Sequence, residues 1–168
     1  MLKTVGIASL LVIAFISTAS AQFNIGDDRG GQIGVYLIKY AALRESGQDV
    51  KIDGNCVSAC TLILGTVPSD RVCVTSKANL GFHAAWKPDD NGFHMPSPLG
   101  TQALRDHYPA WVNRWIDHHG GLTPHMIHMP FATLQQHFRV CGAPPKTHVA
   151  RRHRTPPHRI HYASARVH

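Results

Sequence analysis

Residues 54–65 read GNCVSACTLILG, followed by RVCV at 71–74 and LGFHAA at 80–85. The order is a short strand, a Gly-Asn turn, then a serine at the first turn of a small apolar helix. A serine there sits beside free backbone N–H groups and the positive end of the helix. Such donors stabilise an oxyanion, and one of them is worth about 2.7–4 kcal/mol in acyl transfer. Ser58 is a weak nucleophile alone and needs a base. His83 ends a strand further along, flanked by the small residues Ala84 and Ala85. Gly30 and Gly31 form a second flexible turn before a helix, able to bring a backbone N–H near a carbonyl oxygen. A nucleophile, a base and two donor turns are the components of acyl transfer.

Working outward, the pattern is α/β. From Gln32 to Ser46 apolar residues recur at three and four, a helix pattern with Gly47 as its C-cap. Asp49–Asp53 alternates as a strand, and Gly54-Asn55 reads as a turn. Ser58–Leu64 is a short buried helix. Arg71–Thr75 and Asn79–His83 are further strands. Trp86–Gly100, rich in Pro, Gly and Asp, reads as a long surface loop. Helix is expected again from an N-capping Thr101, split by Pro109. Trp111, Val112, Trp115 and Ile116 share a face of the second piece and read as core or subunit contact. Thr123-Pro124 is expected to open another helix, and Gln135–Cys141 closes the folded part.

The ends differ from the middle. Residues 1–21 carry Lys3, an apolar run from Val5 to Ile16 and Ala19-Ser20-Ala21, which reads as a secretory signal cleaved before Gln22. The run is short for a membrane span, so no span is expected after cleavage. The expected location is periplasmic or secreted. The 168 residues carry a net charge of +7, with 43% hydrophobic and 16% charged residues. Residues 22–141 hold ten Lys/Arg and ten Asp/Glu, whereas 142–168 hold six Lys/Arg and no acid. The excess charge therefore belongs to a His/Pro/Arg-rich tail, read as disordered. The folded domain, 22–141, is not a nucleic-acid binder on this count. Export makes disulfides among Cys56, Cys60, Cys73 and Cys141 expected, with three pairings open. His118, His119, His125 and His128 lack acidic or cysteine companions at ligand spacing, so no metal and no cofactor are expected.

Residues 58–83 (SACTLILGTVPSDRVCVTSKANLGFH) resemble the stretch from nucleophile to base in the proteolytic subunit of Clp protease, with the same serine-to-histidine interval. Arg29-Gly30-Gly31 before Gln32 is similar to that family's oxyanion turn, and HHGGLTPHMI (118–127) to its helix-Gly-helix region. The resemblance spans roughly 26–140 and is strongest over 54–85. It implies a reduced ClpP/crotonase-like spiral of ββα units, truncated at its N-terminus, like that of small secreted bacterial members. It implies Ser58 as nucleophile, His83 as base, and Gly30, Gly31 and Ala59 around the oxyanion. A peptide or acyl substrate and a homo-oligomer follow as the expected partners. The family's acid would fall near 130–135, where PFATLQ has no carboxylate. Asp117 is the nearest upstream candidate, with Asp106, Asp89 and Asp90 behind it. A non-catalytic binding or structural module on the same fold is the alternative. A thioester-processing enzyme is disfavoured, because coenzyme A is cytosolic.

Overall fold

Val50-Lys51-Ile52 places two fully buried side chains on either side of a half-exposed lysine, the period-2 signature of a strand. The computed structural model describes residues 21–143. The signal-peptide expectation, save its last residue, and the tail expectation beyond 143 fall outside the described residues. What is described is a mixed α/β architecture with several sheets and five α-helices.

The larger sheet is parallel, in the order β1 (Phe23–Ile25), β2 (Val50–Ile52), β4 (Val72–Val74) and β9 (Arg139–Val140). Helix α1 (Ile33–Glu45) crosses from β1 to β2 and buries Tyr40 and Leu43. The second sheet joins β3 (Asn55–Val57) in parallel to β5 (Asn79–Phe82), and β5 antiparallel to β8 (Ile127–Pro130). Between β3 and β4 a 3₁₀ turn over Ser58–Leu62 runs into α2 (Ile63–Thr66), buried from Ala59 to Leu64. Leu62, Ile63, Leu80 and Phe82 join Val50, Ile52, Val72 and Val74 in one core.

Several expectations are corrected. Trp86–Gly100 is not a plain loop. It forms a hairpin of β6 (Trp86–Pro88) and β7 (His94–Pro96), then the start of α3 (Pro98–His107). The cap of α3 is Ser97, whose Oγ accepts from the Gly100 N–H at 3.2 Å, with Pro98 in the first turn. Thr101 instead accepts from the Ala85 N–H at 2.9 Å and ties the hairpin base to the helix. Pro109 does divide the helical region, standing before α4 (Ala110–His118). Val112 and Ile116 are buried in α4, and Trp111 and Trp115 pack half-buried against the core. Thr123-Pro124 opens no helix. The Thr123 Oγ1 accepts from the His125 N–H in a local turn, and buried Met129 between exposed His128 and Pro130 gives β8 its strand period. Asn55 belongs to β3 rather than to a turn. Beyond β8 lies the one-turn α5 (Phe131–Leu134).

All four cysteines are paired, Cys56 with Cys60 and Cys73 with Cys141. The second bridge closes a loop with a sequence separation of 68. In the chain-entropy account such a loop is worth about 4 kcal/mol. Among the described residues no helix is long and apolar enough to cross a membrane.

Gly65 marks the tightest approach between elements. A Cβ there would lie 1.6 Å from the His107 carbonyl oxygen at the end of α3. Gly34, inside α1, has nothing within 4 Å of its virtual Cβ. Urea denaturation should therefore show Gly65→Ala losing at least ~2 kcal/mol and Gly34→Ala gaining up to ~1 kcal/mol. Equal effects would contradict the packing of α2 on α3.

Candidate active site

Ser58 follows extended Val57 with φ of +56°, the single positive-φ residue other than glycine among the described residues. Left-handed backbone at a residue with a Cβ costs about 1–3 kcal/mol and persists only where the surroundings impose it. Three contacts do so here. The Cys56–Cys60 bridge spans the turn. Buried Thr61 donates its hydroxyl to the Ser58 carbonyl at 2.6 Å. With that proton committed, Thr61 receives one from the Tyr108 hydroxyl, also at 2.6 Å. Burial pushes the Tyr108 phenol up to about 12, so it stays a neutral donor. Tyr40 reaches across from α1 and donates to the Cys60 carbonyl at 3.1 Å. Burial, above all, raises its phenol as well.

The glycine turn is brought to Ser58 by backbone pairing. The Asp28 N–H donates to the Asn55 carbonyl at 2.7 Å, and the Val57 N–H donates to the Asp28 carbonyl at 2.9 Å. Two residues later Gly30, with φ of +76°, packs directly on the serine turn. A Cβ on Gly30 would stand 2.5 Å from the Val57 oxygen, 2.8 Å from Ser58 Cβ and 2.9 Å from the Ala59 nitrogen. No other residue type fits.

The two glycines have different roles. The Gly30 N–H is occupied, donating to Asp28 Oδ1 at 2.8 Å, so Gly30 is a spacer rather than an oxyanion donor. The Gly31 N–H has no such partner. The Ala59 N–H lies in the first turn of the 3₁₀ segment, ahead of its first internal hydrogen bond. Asp28 was not singled out by sequence reading. Its carboxylate also accepts from the Tyr36 hydroxyl at 2.5 Å and lies 3.6 Å from Lys39 Nζ. Burial, then this hydrogen bond and the Asp28 charge, push the Tyr36 phenol up to about 12. The only hint in sequence was an acid two residues before Gly30.

His83 is half-buried just beyond β5. Its Nδ1 lies 2.7 Å from the Ala84 carbonyl oxygen. A carbonyl can only accept, so Nδ1 donates to it, and in the neutral ring the lone pair then falls on Nε2. Ser58, His83, Gly30 and Gly31 line one cleft of about 720 Å³, together with residues of the β6–β7 hairpin and Leu104. No hydrogen bond joins Ser58 Oγ to the His83 ring. Beyond His83 lies a smaller recess of about 380 Å³ lined by Ala84, Pro96, Pro124 and Met126.

Asp117 is not an orienting acid in this arrangement. It is ion-paired with Arg105 Nη2 at 2.5 Å. Asp106 accepts from Gln102 Nε2, and Asp89 from the N–H groups of Asn91 and Phe93 in its own hairpin. Among the described residues no carboxylate hydrogen-bonds to His83. Likewise, no group of three His, Cys, Asp or Glu residues is placed to hold a metal. His119 stacks on Trp115, and His128 Nδ1 meets Asn79 Nδ2. No family model matches the chain, and no curated protein matches it.

Strain at Ser58 has a thermodynamic signature. Ser58→Gly should raise stability by ~1 kcal/mol in urea unfolding relative to Ser58→Ala, because glycine relaxes the positive φ. Equal stability of the two variants would contradict an imposed left-handed serine.

Proposed function

We propose that this chain is a secreted, ATP-independent serine hydrolase, peptidase-like in its chemistry, built on a reduced ClpP/crotonase-like spiral. The observation that carries the reading is the strained Ser58, seated against Gly30 in the same cleft as His83. Strained left-handed residues cluster at functional sites, where the surroundings hold them in place. The two disulfides suit an oxidising compartment outside the cytosol.

In this mechanism Ser58 Oγ attacks the substrate carbonyl while His83 Nε2 takes its proton. The negative charge that develops on the carbonyl oxygen is met by the N–H groups of Gly31 and Ala59. Collapse of the tetrahedral species expels the leaving group, to which His83 returns the proton. Water then repeats the sequence on the acyl-enzyme. General-base transfer needs Oγ and Nε2 within about 2.6–3.2 Å, a distance that often tightens only with substrate bound.

The Ala84 carbonyl takes the place of the missing acid. It holds the tautomer, but a neutral dipole stabilises imidazolium less than a carboxylate does. In serine proteases with a Ser-His-Asp triad, altering the acid while keeping the geometry costs about 10⁴ in rate. Slow turnover is the consequence here. The same two features, no Ser58–His83 hydrogen bond and no carboxylate, favour the second reading: a binding module on the same fold.

A fluorophosphonate probe separates the two. Oxidised protein should be labelled, Ser58→Ala should not, and His83→Ala should label at least ~100-fold more slowly, within the usual range for general-base catalysis. Identical labelling of all three would leave the binding module standing.

A further inference from the structure

We infer that the cleft selects a substrate bearing a carboxylate side chain beside the reacting carbonyl, an acidic peptide, held by Arg29 and Lys87. The inference rests on the hydrolase reading for its reacting carbonyl, but its anion site stands on separate observations.

Residues 22–141 balance ten cations against ten acids. The cleft does not share that balance. Arg29, from the turn before α1, and Lys87, from β6, both line it, together with His83 and His94, and no Asp or Glu does. Among the described residues neither Arg29 nor Lys87 is in an ion pair, whereas Lys39, Lys51, Arg105 and Arg139 are.

Of the four acids nearest in sequence, Asp90 is outside the cleft lining and the other three are committed elsewhere. Asp27 accepts from the Asn55 N–H and side-chain amide at 3.0 and 2.9 Å. Asp28 holds Gly30, Tyr36 and Lys39. Asp89 closes the hairpin tip. The two cations come from separate elements, and both line the cleft that Ser58 and His83 share. A carboxylate there gains two partners and displaces no acid.

Cations serving only the oxyanion would act on every acyl substrate alike. Discrimination between an aspartate and its uncharged isostere is therefore the property that distinguishes a side-chain carboxylate site. Both groups are exposed, so the effect is moderate and salt-dependent.

The test uses the full chain with Ser58→Ala and a dye-labelled tetrapeptide carrying one central aspartate, against its asparagine counterpart, read by fluorescence anisotropy. At low salt the aspartate peptide should bind roughly 5- to 10-fold tighter. The preference should shrink in 0.5 M salt, vanish on Arg29→Gln with Lys87→Gln, and reverse on Lys87→Glu. A misfolded variant would lose binding to both peptides and could not reverse the order. Equal affinities, or a preference indifferent to these substitutions, would overturn the inference. If wild-type protein cleaves neither peptide while the preference holds, the hydrolase reading fails and the anion site stands.

Discussion

Two backbone hydrogen bonds, from Asp28 to Asn55 and from Val57 to Asp28, determine where the glycine turn lies against Ser58. They add one bridged residue to the edge of β3 and bring the following turn against the serine. A shift of one residue that put Arg29 in the place of Gly30 would bring a Cβ where there is no room for one. Register in a sheet is normally set by which face is buried. Here it is set as well by a single steric requirement. The Asp28 carboxylate reinforces it by gripping the Gly30 N–H, and Tyr36 and Lys39 hold that carboxylate in turn.

The serine turn is secured from the opposite side by different means. A disulfide spans it, and a buried relay from Tyr108 through Thr61 ends on the Ser58 carbonyl. The deep core beneath, from Leu62 and Ile63 to Leu80 and Phe82, gives both supports a rigid base. Strain of a kcal/mol or more at one residue is tolerable because so many buried contacts would have to move to release it. The arrangement is costly for a helix start that did nothing else, since an ordinary serine cap needs no left-handed backbone.

Much of this was legible in the sequence because it was local. Helix α1, strands β2, β4 and β5, the apolar turn after Ser58 and the break at Pro109 all show in residue periodicity or in proline chemistry. Elements defined by distant partners did not show. Strand β1 buries only Ile25, and β8 was hidden behind Thr123-Pro124, a good helix opening that pairing with β5 overrides. The hairpin at 86–96 looked like a loop because its proline, glycine and aspartate content outweighs so short a strand pattern. Ser58, His83 and the glycine turn, which line one cleft, could be named from their local sequence and the family resemblance. The division of labour between Gly30 and Gly31 could not, because it depends on the Asp28 side chain folding back onto its own turn. The ion pair that removes Asp117 from consideration joins α3 to α4 and has no local signature.

The chemistry proposed for this cleft depends on the Gly31 and Ala59 amides pointing at one oxygen bonded through its centre to Ser58. A crystal structure of the protein after reaction with a phosphonate ester examines that arrangement atom by atom. The account predicts phosphorus bonded to Ser58 Oγ, one phosphoryl oxygen about 2.7–3.1 Å from both amide nitrogens, and His83 Nε2 turned toward Oγ. Phosphorus on another residue, or a phosphoryl oxygen directed to solvent away from both amides, would contradict it.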